Sequence, residues 1–194
     1  MAALIEAAKA EDYPAVIVLV VSNRGDASGL ALAREAGIAT AVIDHAPFGS
    51  DRAAFERALD AELTKHGVEF VCLAGFMRLL TPWFVNRWSG HLLNIHPALL
   101  PRFKGLHTHR RALEAKVARH GATVHFVAAE MDSGPSVLQD SVPVLEDDTE
   151  ETLARRVLEL EHRLYPRALR LVIEGRSIAA AGGTTNAAPD SPSR

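Results

Sequence analysis

The sequence has few of the features that mark several large classes of protein. It contains one cysteine in 194 residues, Cys72 within "FVCLAGF", which fits a reducing compartment and a place in the core. No apolar run approaches the ~18 residues of a membrane span, and no signal segment follows Met1. The net charge of −3 provides no strong positive field for nucleic acid. We therefore expect a cytoplasmic protein that binds neither membrane nor nucleic acid.

Histidine is plentiful, but metal-binding spacing is missing. The chain has nine histidines, several of them between residues 91 and 125, yet it contains no H-E-x-x-H motif and no Cys/His zinc pattern. We expect a site without a metal.

Hydrophobic residues make up 48% of the chain, which is typical of a folded protein with a sizeable core. We expect one domain over residues 1–178. The last stretch, residues 179–194, is small, polar and rich in Pro and Gly, and it is predicted to be a disordered tail.

Short apolar runs alternate with amphipathic stretches along the domain. The alternation predicts an α/β fold: a doubly wound, mostly parallel sheet with helices on both faces. Pro143 places the last strand at an edge. The predicted strands are residues 14–23, 40–43, 70–76, 91–96, 122–128 and 136–144, and the main helices are residues 51–66, capped by Ser50, 82–88 and 150–174.

Polar side chains at the end of one predicted strand suggest chemistry. Asn94 and His96 are two residues apart, so both point to one face and together could hold a developing oxyanion. Asp132 lies in the turn "EMDSGP", and a carboxylate near an imidazole favours the protonated ring. This trio suits acyl transfer without a protein nucleophile. The alternative is an Asn and a His that only satisfy backbone groups at a strand end.

The segment "FMRLLTPWF" combines apolar side chains with one cation, Arg78. It suits a flat ligand that carries carboxylates, although the edge of a core followed by a helix would look the same. Arg52 stands in the first turn of its helix, where the dipole disfavours a cation, and this also hints at an anionic ligand.

Several motifs together resemble one family. "LLNIHPALLPRFKGLHTHRRAL" resembles the formyltransferases that use 10-formyltetrahydrofolate, and within them those that act on glycinamide ribonucleotide in purine synthesis. "CLAGFMRLL", "GATVHFV", "EMDSGP" and "ELEHRLYP" follow in the family's order, and the resemblance covers residues 1–175.

The resemblance implies a direct attack of the substrate amine on the formyl carbon, with no metal. It implies that His96 and Asn94 stabilise the oxyanion and that Asp132 tunes the protonation of His96. The loop 128–132 would close over the pterin, and Glu161 would bind the ribose of the nucleotide. The folate-binding residues it implies are Arg52, Met77, Arg78, Leu79, Leu80 and Asn94. The implied partners are these two small molecules, in a monomer or homodimer.

The sequence departs from the family at its start. The family begins with a strand and a Gly-x-Gly-Ser-Asn type loop, neither of which is seen here, so we expect the first, central strand to be missing. Three alternatives remain. Methionyl-tRNA formyltransferase would have "GAAP" in place of "GLHTH" and a basic C-terminal domain, and formyltetrahydrofolate hydrolase would have a further regulatory domain. A truncated, inactive folate-binding protein is the third.

Overall fold

The structure, a computed structural model, describes residues 1–181 of the chain. The helices are α1 (Ala2–Ala7), α2 (Ser28–Glu35), α3 (Arg52–Lys65), α4 (Pro82–Arg87), α5 (Thr108–Glu114) and α6 (Glu150–Ala181), with a 3-10 turn at Ala46–Phe48. The strands are β1 (Leu19–Ser22), β2 (Ala39–Val42), β3 (Val71–Leu73), β4 (Leu92–His96), β5 (Arg119–Phe126) and β6 (Ser136–Pro143). The order of elements confirms the α/β class.

The strands form two sheets instead of one. β1 pairs with β2 in parallel, and a second sheet has the order β3-β4-β5-β6. In the second sheet only β3 and β4 are parallel, whereas β4/β5 and β5/β6 are antiparallel. The prediction of a mostly parallel sheet is therefore wrong for this half of the molecule, where the sheet is mixed. The edge position of β6 is confirmed.

The connection between β4 and β5 explains the change of direction. A parallel return needs a crossover that carries the chain back along the strand. The seven residues of α5 cover only ~10 Å. The loop 97–107 also stays at the end of β4, where the Phe103 carbonyl is hydrogen-bonded to His96. β5 consequently starts beside the end of β4 and runs the other way.

β1 is shorter than its apolar sequence suggests. The predicted strand began at residue 14, but regular pairing covers only Leu19–Ser22, opposite β2. The preceding residues have no strand beside them in the described part of the chain, and Val16 is 76% exposed. β propensity predicts an extended chain here, but only a partner strand makes it part of a sheet.

The two faces of β4 pack against different helices. Leu92 lies in a cluster with Leu59 and Leu63 of α3 and with α4, while Leu93 points the other way, into a larger cluster with α6. Alternate residues of a strand face opposite sides, so the helices do cover both faces of this sheet, as predicted.

Two helix ends differ from expectation. Asp51, not Ser50, is the N-cap of α3, because its carboxylate accepts the Ala54 N–H at 2.9 Å. α6 continues through Pro166, whose carbonyl accepts a hydrogen bond from Tyr13. The helix reaches Ala181, three residues into the predicted tail, and the rest of that tail lies outside the described residues.

Candidate active site

Asn94 and His96 share one face of β4, as their spacing predicts. The neighbouring strand places His125 opposite Asn94 and Thr123 opposite His96, so four polar side chains lie on this face. His96 is buried, although it stands at the end of its strand. A buried polar group requires hydrogen-bond partners, and the two loops that follow β4 and β5 provide them.

The loop after β4 supplies the first partner of His96. Its ring Nε2 lies 3.0 Å from the carbonyl oxygen of Phe103, and Phe103 has a positive φ of 57°. A carbonyl only accepts, so Nε2 carries a proton in this arrangement. The breaks that Pro97 and Gly105 impose after the strand thus let the chain fold back onto the imidazole.

Asp132 supplies the second partner. Its Oδ2 lies 3.5 Å from His96 Nδ1 and accepts the Gly105 N–H at 2.9 Å. Both ring nitrogens of His96 therefore face oxygen acceptors. The structure brings together His96 and Asp132 as the sequence predicts.

The path by which Asp132 reaches this place was not predicted. Because β5 is antiparallel to β4, its last residue, Phe126, lies opposite Leu93 and not beyond His96. The loop 127–135 then folds back over the face of the sheet. Gly134 permits the fold, because any β-carbon there would overlap the Phe126 carbonyl, and Asp132 itself has a φ of 50°.

His125 is a site residue that the sequence analysis did not single out. Its Nε2 lies 3.3 Å from Asn94 Nδ2 and 3.7 Å from Asp132 Oδ1. Its Nδ1 is 2.9 Å from the Phe126 carbonyl, so Nδ1 carries the proton and Nε2 accepts from the amide. Burial lowers the pKa of His125, which keeps it neutral. A polar residue within the apolar run "ATVHFVA" was the available signal.

Two more imidazoles lie close by without a charge. The rings of His109 and His120 meet edge to face, with centroids 5.2 Å apart. Burial and the neighbouring His109 lower the pKa of His120 to about 4. His109 Nδ1 and both His120 nitrogens are buried with no hydrogen-bond partner among residues 1–181. A lowered pKa keeps both rings neutral near pH 7.

The predicted folate segment is held together by α3. Arg52 donates to the Leu79 carbonyl at 3.4 Å, and the Arg78 guanidinium lies 5.5 Å from the centre of the Phe55 ring. Met77 and Leu79 are 76% and 59% exposed, so apolar surface is available for a ligand. The side chain of Leu80 is less available to a ligand, because it packs against the hydrophobic cluster that contains Phe84.

Glu161 lies on α6, half buried beside the Met1 amino group. Burial raises its pKa from 4.5 to about 7. Within the described residues the structure gives it no hydrogen bond or ion pair with the trio, so its predicted contact with a ribose stays a prediction.

Glu161→Gln should stabilise the protein at alkaline pH. The native state holds the Glu161 proton more tightly than the unfolded chain, so this group's contribution to stability falls as pH rises from about 4.5 to about 7. At about pH 8 the variant should be more stable by about 1–3 kcal/mol, and near pH 4 the difference should vanish. Urea unfolding across this range measures it. Glu159→Gln, an exposed carboxylate on the same helix, is the control, and a gain that did not depend on pH would contradict the expectation.

Membrane-spanning helices and metal-binding clusters are both absent among residues 1–181. Over residues 1–181, no helix combines the length and the apolar character that crossing a membrane requires. In the same part of the chain, no group of three or more His, Cys, Asp or Glu side chains is arranged to hold a metal ion. Chemistry without a metal stays a prediction.

Comparison with known proteins relates this site to a family. The model of the formyl transferase family matches residues 1–169. The chain is 53% identical over 173 residues to the trifunctional purine biosynthetic protein adenosine-3 of Gallus gallus, but it spans only 17% of that protein's length. It is also 46% identical over 174 residues to the phosphoribosylglycinamide formyltransferase of Escherichia coli, of which it spans 82%.

Solved structures agree with the sequence relatives. Glycinamide ribonucleotide transformylase 1 from Symbiobacterium toebii matches with a TM-score of 0.86 and 47% identity over 90% of this chain and 82% of that one. Phosphoribosylglycinamide formyltransferase from Brucella melitensis matches with a TM-score of 0.83 and 49% identity over 97% and 92%. With a family model that matches residues 1–169 and relatives of this similarity, the chain belongs to the formyl transferase family.

Proposed function

We propose that this protein transfers the formyl group of 10-formyltetrahydrofolate to the amine of glycinamide ribonucleotide, a step of purine synthesis. The observation that carries the proposal is the contact of His96 Nδ1 with Asp132 Oδ2 at 3.5 Å, with Asn94 on the same face of the sheet. The relatives named as phosphoribosylglycinamide formyltransferases support the choice of substrates.

The reaction needs donors for a transient oxyanion. The amine forms a bond to the formyl carbon, and the carbonyl electrons move onto oxygen. Asn94 has two amide protons, of which His125 engages one, so the other remains for this oxygen. His96 offers the Nε2–H that now points to the Phe103 carbonyl. The contact with His125 holds Asn94 in place before the reaction, which is what makes oxyanion stabilisation effective. The Nε2–H of His96 exchanges the Phe103 carbonyl for the oxyanion when substrate is bound.

Proton transfer completes the exchange. The attacking nitrogen must lose a proton, and N10 of the folate must gain one as its bond to the formyl carbon breaks. The Asp132 carboxylate can accept a proton and the adjacent His96 ring can carry one, so the pair can move this proton directly or through water. The products are the formylated amine and tetrahydrofolate.

The folate is proposed to lie along the segment 77–80 and under the loop 128–132. The exposed side chains of Met77 and Leu79 suit a flat ring system, and Met131, also exposed, lies in that loop. Arg52 and Arg78 supply positive charge for carboxylates. Glu161 is proposed to bind the ribose hydroxyls of the nucleotide.

Incubation with both substrates tests the function. We expect formylglycinamide ribonucleotide and tetrahydrofolate to form in equal amounts. Mass spectrometry measures the first product and absorbance measures the second. Formate released from the folate without any amine acceptor would indicate a hydrolase instead. Transfer to methionyl-tRNA, or folate binding without turnover, would support the remaining alternatives.

We further propose that one more strand completes the sheet between β1 and β3. The support is the separation of the strands into two sheets, although Leu19 and Val21 of β1 pack on the same hydrophobic cluster as Val71 of β3. The extent of the domain to residue 178, a cytoplasmic location and a monomeric or homodimeric state stay predictions.

A further inference from the structure

A buried carboxylate lies next to the predicted folate segment and outside the catalytic trio. Glu56, on α3, is only 1% exposed. Its Oε1 accepts the Thr81 N–H at 2.7 Å, and its Oε2 accepts the Thr81 hydroxyl. Carboxylates are almost never fully buried unless they are paired, so this pair is a built feature of the structure.

The hydroxyl of Thr81 departs from its usual role. Thr81 is the N-cap of α4, but its side chain makes no capping hydrogen bond to that helix. An N-cap Thr normally accepts from the backbone of the first turn. Here the hydroxyl donates to Glu56, and the helix begins with Pro82. The contact therefore ties α3 to the residue that directly follows the segment 77–80.

Two further contacts join the first turn of α3 to the segment 77–80. Arg52 and Phe55, in the first turn of α3, touch the backbone of Leu79 and the side chain of Arg78. These two contacts are exposed or loose, since the first is 3.4 Å long and the second is a ring-cation approach. The Glu56–Thr81 pair is shorter, at 2.7 Å between Thr81 N and Glu56 Oε1, and the Glu56 side chain is buried.

A second carboxylate on α3 provides a comparison. Asp60, one turn after Glu56, accepts the Trp88 Nε1–H at 2.9 Å and lies 3.3 Å from Arg87 Nε. It thus holds the far end of α4. The two carboxylates hold opposite ends of the same short helix, and only Glu56 adjoins the segment 77–80.

We propose that Glu56 is a positioning residue, which acts through Thr81 to fix the backbone of segment 77–80 in the shape that binds the folate. This inference rests on the proposed function for the identity of the ligand. The fixing of the segment does not depend on it. Loss of the contact should make the segment more mobile and weaken binding of the formyl donor, because binding then includes the free-energy cost of ordering the segment. The catalytic trio should be unchanged.

The test compares four variants. Thr81→Val removes the hydroxyl but keeps the shape, and Glu56→Ala removes both acceptors. Thr81→Ser keeps the hydroxyl, and Asp60→Asn alters the carboxylate at the other end of α4. Hydrogen exchange of the amides of residues 77–81 is measured without ligand, and binding of tetrahydrofolate is measured by calorimetry.

We expect exchange in this segment to rise about tenfold in Thr81→Val and in Glu56→Ala. We expect the Kd for tetrahydrofolate to rise about tenfold, which corresponds to ~1.4 kcal/mol, while turnover at saturating folate stays near the wild-type value. Thr81→Ser and Asp60→Asn should show the wild-type exchange in this segment and the wild-type Kd.

The outcomes separate the inference from the function. Unchanged exchange in a folded Thr81→Val protein would overturn the positioning role, whatever the ligand is. Equal loosening of the segment in Asp60→Asn would overturn it as well, since general loss of stability would then be the cause. Wild-type protein that does not bind tetrahydrofolate would contradict the proposed function, while the exchange data would still decide the role of Glu56.

Discussion

Replacing either His96 or Asn94 by alanine should lower the rate of formyl transfer about 10²–10³-fold, because each removes one donor from the developing oxyanion. The effect should fall on kcat, since the donors act on charge that appears only in the transition state. Steady-state assays with glycinamide ribonucleotide and 10-formyltetrahydrofolate measure it. Asn94→Ala should also remove the hydrogen bond that His125 Nε2 accepts from the Asn94 amide at 3.3 Å.

A matched control separates this effect from the loss of any imidazole. The His66 ring contacts Glu62 at the end of α3, and His66→Ala should keep the wild-type rate. Circular dichroism should show that all variants are folded. Full activity of a folded His96→Ala protein would contradict the role of this residue in the reaction, whereas full activity of Asn94→Ala would leave His96 as the essential donor.

Joining an apolar strand and a Gly-x-Gly-Ser-Asn turn directly before Met1 should raise the melting temperature. The new strand is expected to pair with both β1 and β3, which belong to separate sheets. A new backbone hydrogen bond contributes about 0.5–1.5 kcal/mol net, so several bonds to the half-buried strands β1 and β3 should together contribute about 3 kcal/mol. For a domain of this size that corresponds to roughly 6–12 °C.

Calorimetry of the two forms measures this change. The control carries an extension of equal length in which the apolar strand residues are replaced by Ser and Gly, and it should melt at the original temperature. Hydrogen exchange should show new protection in β1 and β3, and nucleotide binding should tighten, because a Gly-rich turn offers N–H groups to a phosphate. Equal melting temperatures for the apolar and polar extensions would contradict the proposed strand.

The local features of the chain could be predicted from its residues. The apolar stripe of Phe55, Leu59 and Leu63 predicted α3 and its buried face, which the structure confirms. The spacing of Asn94 and His96 predicted that both lie on one face of a strand, which the structure of β4 confirms. Such features depend on periodicity within a few residues, which a sequence displays directly.

The direction of the strands could not be predicted in the same way. Runs such as "ATVHFVA" are equally apolar in parallel and antiparallel sheets, and the short α5 together with the path of the loop 97–107 makes β5 antiparallel to β4. The length of β1 likewise depends on where a neighbour pairs with it, so an apolar run from residue 14 formed a strand only from Leu19.

The sequence by itself determined the α/β class, the apolar faces of the helices and the residue types of the trio. The tertiary structure decided which groups are in contact. His125 orients Asn94, and the Phe103 carbonyl and Asp132 each contact one ring nitrogen of His96. Glu56 is buried against Thr81. Each of these contacts joins residues far apart in the chain or on loops with positive φ. Their partners are set by the packing of whole elements and by loop paths, which residue patterns do not encode locally.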